Sequence, residues 1–132
     1  NTKLSLSIAV PPDIFVSDLD ISITLGNLLS NAIEALEKLQ DDAERKLSVS
    51  ILYKMSTLYL EIKNTFSGSL KKIDKVTFKS TKKDSRNHGY GLSNVNEVVE
   101  KYDGISSFTT EGNWFIVNIT LFSEKKNSQL QE

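Results

Sequence analysis

Two asparagines and a glycine interrupt a segment whose apolar residues repeat with the period of a helix. Gly26, Asn27 and Asn31 all have lower helix propensity than alanine. Together they cost about 2 kcal/mol of local helix stability, which indicates that a requirement other than helix formation explains them. Asn27 and Asn31 are one helical turn apart and project from the same side. Amide side chains in this arrangement are suited to hold a polar ligand or a hydrated metal ion.

A glycine pair beside a basic, hydroxyl-rich stretch is the second group of residues that could bind a ligand. Gly89 and Gly91 lie where a second periodic helix begins, and glycine lets backbone N–H groups approach an anion there. Neither the P-loop pattern nor the dinucleotide-binding pattern is present. Taken alone, the pair is better explained as a helix-entry turn beside a solvated loop. The cations and hydroxyls that precede it are Lys79, Ser80, Thr81, Lys82, Lys83 and Arg86.

The segments that must position these residues alternate between the periods of strands and helices. Their order indicates an α+β two-layer sandwich, in which a mixed, mostly antiparallel sheet of about five strands carries helices on one face. The predicted elements are a strand over 3–10, a helix from 17 or 18 to about 40, a hairpin of strands over 47–53 and 58–63, a long loop over 64–88, a helix from 89 to 104, and a hairpin of strands over 105–110 and 114–121.

The first predicted helix has two faces of different polarity. Its apolar stripe is expected to pack on the sheet, and a second, polar stripe is expected to point away from the apolar one. The apolar stripe contains Ile21, Leu25, Leu28, Leu29, Ala32, Ala35, Leu36 and Leu39. The polar stripe contains Asp20, Thr24, Asn27, Asn31, Glu34 and Lys38.

Length and composition are those of one soluble globular domain. The chain has 132 residues, of which 39% are hydrophobic and 25% charged. A net charge of −1 gives no reason to expect nucleic acid or an anionic membrane as a partner. The absence of cysteine excludes disulfides and thiolate metal sites. We expect a domain over 1–122 and a flexible tail over 123–132, excised from a longer protein because the first residue is not methionine.

Two motifs taken together resemble a known family. Residues 27–35 read Asn-Leu-Leu-Ser-Asn-Ala-Ile-Glu-Ala, and residues 88–95 read His-Gly-Tyr-Gly-Leu-Ser-Asn-Val. Both segments, and the order of elements from about Leu4 to Phe122, resemble the ATP-binding catalytic domain of sensor histidine kinases. That domain belongs to the superfamily of gyrase, the heat-shock-90 chaperones and the MutL proteins, which implies a Bergerat-type ATP-binding fold. The Ile-Glu-Ala ending, the Lys-Ser-Thr-Lys run at 79–82 and the His-Gly-x-Gly-Leu form look most like the peptide-pheromone-sensing subgroup.

The resemblance implies a role for each motif residue. Asn31 would bind Mg²⁺ through its side-chain oxygen, with ATP phosphates supplying most other ligands. Gly89 and Gly91 would flank the phosphates, and the segment 66–88 would be a lid over ATP. The full set implied to bind ATP or its Mg²⁺ ion is Asn27, Asn31, Asn64, Thr81, Lys82, Gly89, Gly91 and Leu92.

The chain departs from the family pattern at Asn64. Most relatives have Asp-x-Gly-x-Gly here, and the carboxylate accepts a hydrogen bond from the adenine amino group. This chain reads Asn-Thr-Phe-Ser-Gly over 64–68, so an amide oxygen would accept that bond without charge assistance. Phe66 replaces the first glycine, which implies a differently shaped lid hinge or adenine pocket. A turn residue at the end of a strand is an equally good explanation of Asn64.

Asn27 bears on what such a site does with ATP. In ATP-hydrolysing members of the superfamily, a glutamate stands one turn before the magnesium asparagine and activates water as a general base. An amide cannot take up the proton, so phosphoryl transfer to a side chain is the expected reaction. His88, the single histidine, is not expected to be the acceptor, because the family's acceptor lies on a separate dimerisation helix. No catalytic residue is assigned within this chain.

The sequence therefore predicts the catalytic domain of a two-component sensor histidine kinase that uses ATP and Mg²⁺. Its expected partners are its own dimerisation and phosphoacceptor domain and a response regulator, without nucleic acid or direct membrane contact. The expected location is the cytoplasmic side of a membrane-bound receptor. Two alternatives stay open: a serine kinase of the anti-sigma-factor type, and a degenerate docking module favoured by the departures at Asn64 and Phe66.

Overall fold

A computed structural model describes residues 1–67 and 89–123, which form a sheet of five strands with two helices on one face. The predicted α+β two-layer sandwich is thus confirmed. Within the described ranges, no helix is both long enough and apolar enough to cross a membrane. The elements are β1 (Thr2–Ala9), α1 (Asp18–Glu37), β2 (Arg45–Lys54), β3 (Thr57–Thr65), α2 (Gly89–Lys101), β4 (Ile105–Glu111) and β5 (Trp114–Phe122).

The strands are ordered β1-β2-β3-β5-β4 across the sheet. β1 pairs with β2 in parallel, and every other neighbouring pair is antiparallel. The sheet is therefore mixed and mostly antiparallel, as the sequence predicted. The predicted hairpin between β2 and β3 closes through Met55 and Ser56, which both have positive φ angles (52° and 61°). Two adjacent residues with positive φ match the right-handed twist of the strands they connect.

The core lies between the sheet and the two helices because alternate strand residues point to the helical side. On β3 this row is Leu58, Leu60, Ile62 and Asn64, and it ends at the polar Asn64. The row on β5 that pairs with it includes Val117 and is also buried. The helices contribute further buried apolar side chains to this core, among them Leu28, Ala32 and Leu36 from α1, and Val95, Val98 and Val99 from α2.

The structure corrects the predicted polar stripe of α1 at its first two positions. Asp20 and Thr24 are buried, with 6% and 0% of their surface exposed, and do not point away from the core. The reason is that α1 packs against both the sheet and α2, so its buried arc is wider than the apolar stripe. The buried Thr24 hydroxyl is satisfied because its Oγ1 donates a hydrogen bond to the backbone oxygen of Asp20 (2.9 Å).

Side chains from outside the helix satisfy the backbone groups at both ends of α1. At its start, Ser17 Oγ accepts a hydrogen bond from the Asp20 backbone N–H (3.1 Å), which is an N-cap. At its end, the Arg45 guanidinium donates to the backbone oxygens of Leu36 (3.1 Å) and Leu39 (2.8 Å). The Leu36 oxygen also accepts a bond from the Leu39 backbone N–H (3.2 Å). Arg45 thus connects the end of α1 and the residues just after it to the first residue of β2.

Candidate functional site

A buried carboxylate joins the first turn of α1 to the residues that end α2. Tyr102 Oη donates to Asp20 Oδ2 over 2.6 Å, and Lys101 Nζ lies 2.9 Å from the same oxygen. The Ser17 backbone N–H in turn donates to Tyr102 Oη (3.2 Å). The bond from Tyr102, followed by that from Lys101, lowers the pKa of Asp20 and outweighs the burial that raises it. We refer to these four residues as the Asp20–Tyr102 clamp.

The helix α1 begins at this clamp, α2 ends at it, and the two helices pack against each other. The C-terminal end of α1 lies near the start of β2, because Arg45 binds its last carbonyls. The C-terminal end of α2 lies at the opposite end of the sheet, where the Phe122 backbone N–H donates to the Tyr102 oxygen (3.3 Å). The start of β2 pairs with the end of β3, so the C-terminal end of α1 lies at the same end of the sheet as Asn64. We call this end of the sandwich, where β3 also ends, the site end.

Asn31 and Gly91 are separated from the clamp by the same number of residues. Asn31 is eleven residues beyond Asp20, and Gly91 is eleven residues before Tyr102. At a rise of 1.5 Å per residue, eleven residues of helix span about 16 Å. This equal spacing makes the Asn31 turn of α1 and the first turn of α2 the candidate pair of segments for a shared site.

Asn27 and Asn31 on α1 are both half-buried. Asn27 Nδ2 donates to the backbone oxygen of Ile23, one turn earlier in α1 (2.8 Å). That bond uses the NH₂ group and not the Oδ1 atom, which is the atom able to bind a cation. An amide oxygen is a hard ligand of the kind that Mg²⁺ prefers. Within the described ranges, no group of three or more His, Cys, Asp or Glu side chains could hold a metal ion.

Asn64 occupies the last core-facing position of β3, at the same end of the sandwich. Its side chain is 3% exposed, and its Nδ2 donates to the backbone oxygen of Thr65 (2.9 Å). This bond fixes the orientation of the amide, because the opposite orientation would place Oδ1 against a carbonyl oxygen. The acceptor atom Oδ1 is therefore the atom turned away from Thr65.

Phe66, which the sequence analysis identified as a departure from the resembled pattern, has a packing role in this structure. Its ring is buried and lies edge-on to that of Phe115 on β5, with 6.1 Å between the centroids. Its backbone N–H donates to the oxygen of Asn113 in the β4–β5 turn (2.9 Å). Phe66 thus anchors the end of β3 to the start of β5, directly beyond Asn64.

The glycine pair lies within the first turn of α2, which begins at Gly89 and not after Gly91. The first N–H groups of a helix have no helical acceptor, so this turn offers donors to an anion. Leu92, the next predicted contact, is buried. The remaining predicted contacts, Thr81 and Lys82, lie outside the described residues, as do His88 and most of the predicted lid.

The clamp and the cap by Arg45 are the features that sequence reasoning missed. The spacing of Ser17 and Asp20 is typical of a helix start and was available as a signal. The partner of Asp20 was not, because Tyr102 is 82 residues away and has the spacing of an ordinary core residue. Arg45 had no local signal either.

The chain belongs to the GHKL domain family, because the model of that family matches residues 16–122. No curated protein sequence shows significant similarity to it. The match therefore assigns the chain to a domain family and not to a particular protein. The fold and the motifs indicate the same family.

Solved histidine kinases share the fold at low sequence identity. The nucleotide-free catalytic domain of histidine kinase ThkA superimposes with a TM-score of 0.67 at 16% identity, over 92% of this chain and 78% of that one. The Acinetobacter baumannii histidine kinase AdeS gives 0.65 at 19% identity, over 93% and 55%. The histidine kinase domain from Erythrobacter litoralis EL346 gives 0.66 at 15% identity, over 99% and 56%. The chain thus spans little more than half of the last two chains.

Proposed function

We propose that this chain is the ATP- and Mg²⁺-binding catalytic domain of a sensor histidine kinase, which transfers the γ-phosphoryl group of ATP to a histidine on a separate dimerisation domain. The observation that carries the proposal is the clamp, which joins the start of α1 to the end of α2 with Asn31 and Gly91 each eleven residues from it. We propose that the half-buried amide of Asn31 and the start of α2 meet near the polar end of β3 at Asn64. The family membership and the likeness to histidine kinases support the same function.

The proposed roles follow from the chemistry of each group. Asn31 holds Mg²⁺ through its side-chain oxygen, and Asn27 lies near the phosphates one turn earlier. The first turn of α2, with Gly89, Gly91 and Leu92, receives the phosphates at its free N–H groups. A bound Mg²⁺ ion neutralises phosphate charge, which is the main requirement of phosphoryl transfer.

Asn64 is proposed to recognise the adenine base. Its Nδ2 bond to Thr65 leaves Oδ1 as the atom able to accept a hydrogen bond from the adenine amino group. That bond lacks the charge of the aspartate found in most relatives, so we expect modest nucleotide affinity. Thr81 and Lys82 are proposed as lid contacts with the phosphates.

A titration of ATP with and without Mg²⁺ tests the magnesium role. Asn31→Ala is expected to abolish the Mg²⁺-dependent part of binding, and alanine at a helical position should preserve the fold. Asn96→Ala is the matched control, because Asn96 is an exposed asparagine on α2. Full Mg²⁺-dependent binding by Asn31→Ala in calorimetry would contradict the assignment. If the unaltered chain shows no Mg²⁺-dependent binding at millimolar ATP, the docking module becomes the better explanation.

The acceptor distinguishes the proposed kinase from a serine kinase of the anti-sigma-factor type. Amide chemistry at Asn27 disfavours water activation, so transfer to a side chain is proposed in either case. Labelling of the full-length protein with radioactive ATP should give a phosphate that is labile in acid and stable in base. The reverse lability would indicate a serine acceptor.

We propose a receptor of the peptide-pheromone-sensing subgroup, with this domain on the cytoplasmic side of the membrane and a response regulator downstream.

The domain boundary is proposed at the end of β5. Phe122 is the last residue that pairs with β3, through Thr57. We therefore propose that residues 1–122 form the catalytic domain and that 123–132 are a tail. Deletion of 123–132 should leave both ATP binding and the melting temperature unchanged, and a loss of either would contradict the boundary.

A further inference from the structure

One edge of the sheet carries an apolar row that nothing in the described part of the chain covers. Leu4, Leu6 and Ile8 of β1 are 58%, 59% and 62% exposed. Their partners on β2 (Leu47, Val49 and Ile51) face the helices, so the row on β1 faces the helical side as well. The row borders a groove of about 450 Å³ beside α1, whose lining includes Leu4 and the exposed Ile33.

The opposite edge of the sheet differs in composition. On β4 the residues facing the helical side are half-buried, and the outward positions carry mainly serine, threonine and glutamate. Ile105 is its one large exposed apolar residue, at the first position of the strand. Long apolar edge strands with a free row of backbone groups associate with other strands unless charge or proline prevents it. β1 contains no proline, and Lys3 is its only charge.

We propose that β1 is a dimerisation strand that pairs antiparallel with β1 of a second copy, around a two-fold axis through Leu6. Antiparallel pairing is required because two identical strands related by a two-fold axis form a closed, self-complementary interface. In this register Leu4 lies opposite Ile8 of the second copy, and Leu6 lies opposite its own counterpart. On the other face, Lys3 lies opposite the uncharged Ala9, so no two like charges meet.

The register is specified by the side-chain alternation of the strand. A slip of one residue would bring the apolar row of one copy opposite the Ser5 and Ser7 face of the other, which is unfavourable. The proposed register keeps all three apolar residues paired within about 5 Å, the spacing of directly opposed Cβ atoms. The two sheets then form one sheet of ten strands with all helices on the same side. The two site ends point in opposite directions, so the interface blocks neither site.

Sedimentation equilibrium of the 132-residue chain tests the association. The unaltered chain is expected to form a concentration-dependent dimer. Leu6→Lys should raise the dimer dissociation constant at least about tenfold, because it places two like charges face to face on the axis. Ile105→Lys is the matched control, since Ile105 is 59% exposed on the opposite edge and its replacement should leave the dimer intact. Circular dichroism establishes that both variants remain folded.

A cysteine reporter tests the register independently of the strength of association. The chain contains no cysteine, so a single Leu6→Cys substitution introduces the only thiol. Its two copies should lie directly opposite across the axis and form a disulfide-linked dimer under mild oxidation, much faster than Ile105→Cys. A monomer at millimolar concentration would overturn the proposal. So would cross-linking of Leu6→Cys no faster than Ile105→Cys, or a dimer that is insensitive to Leu6→Lys.

Discussion

The Tyr102 hydroxyl donates a 2.6 Å hydrogen bond to the Asp20 carboxylate, across 82 residues of sequence. Through this contact the first turn of α1 is joined to the end of α2, and Asn31 and Gly91 are each eleven residues from it. A bond to a buried charged group contributes more to stability than one between neutral groups. The clamp thus links the stability of the fold to the geometry of the proposed nucleotide site.

Removal of the tyrosine hydroxyl should destabilise the chain. We expect Tyr102→Phe to lower the free energy of unfolding by about 1–3 kcal/mol, because the buried Asp20 carboxylate loses its shortest hydrogen bond. Tyr59→Phe is the control, because Tyr59 is an exposed tyrosine on β3 and its variant should differ little from the unaltered chain. Urea unfolding monitored by circular dichroism measures both. Equal stability of Tyr102→Phe and Tyr59→Phe would show that the Tyr102 hydroxyl contributes nothing to stability.

The clamp should also make stability depend on pH in the acid range. The pKa of Asp20 in the folded chain is below its ordinary value of 3.8. The carboxylate therefore adds stability at pH above that value, and the addition is lost as the pH falls through the lowered folded pKa. The stability difference between the unaltered chain and Asp20→Asn should be constant from pH 7 to about 5 and shrink below pH 4. A difference that does not change with pH would rule out this linkage.

Substitution by alanine should change the stability of the chain in opposite directions at two of its glycines. A Cβ at Gly104 would lie 2.4 Å from the backbone oxygen of Thr120, so Gly104→Ala should shift the α2–β4 connection and cost several kcal/mol. Gly26, exposed on α1, has no atom within 4 Å of its hypothetical Cβ, and Gly26→Ala should add up to about 1 kcal/mol through helix propensity. Melting temperatures compare the two. Gly104→Ala as stable as Gly26→Ala would contradict the close approach.

Replacing Asn64 by the aspartate of the resembled pattern should lower the stability of the chain. It should also increase the rise in melting temperature that ATP and Mg²⁺ cause. Asn64→Asp removes the donor to Thr65 in a buried position, so we expect a loss of about 1–3 kcal/mol without nucleotide. Added ATP and Mg²⁺ should then raise its melting temperature more than that of the unaltered chain, because a carboxylate is the stronger acceptor for the adenine amino group. Asn118→Asp, on the other face of the sheet, controls for the added charge. A smaller thermal shift in Asn64→Asp would argue against adenine recognition there.

The strands and helices could be predicted because their periodicity is local. The alternation through Leu58, Leu60 and Ile62 identified β3 and its buried face, and the motif around Asn31 indicated the fold. The burial of Thr24 could not be predicted, because it depends on α2 packing beside α1. The exposure of β1 was equally hidden, since an alternating strand has the same pattern at the edge of a sheet as in its centre.

The candidate site was inferred from two motifs and stays a prediction, and the structure adds contacts between distant segments around it. Phe66 was identified only as a departure from a pattern, whereas its role follows from the ring of Phe115 across the sheet. Asn64 was predicted from its place in the motif, but the direction of its amide is set by the backbone oxygen of Thr65. Such orientations depend on tertiary packing and have no signature in the spacing of residues.

Paramagnetic broadening of nuclear magnetic resonance signals by Mn²⁺ tests the central claim most directly. With a non-hydrolysable ATP analogue present, Mn²⁺ in place of Mg²⁺ should broaden the side-chain amide signal of Asn31 and the backbone signals of Gly89 and Gly91. The side-chain signal of Asn118, on the sheet face away from the helices, should remain sharp. Loss of the Asn31, Gly89 and Gly91 signals together is the predicted result. A sharp Asn31 signal at saturating nucleotide and metal would contradict the account.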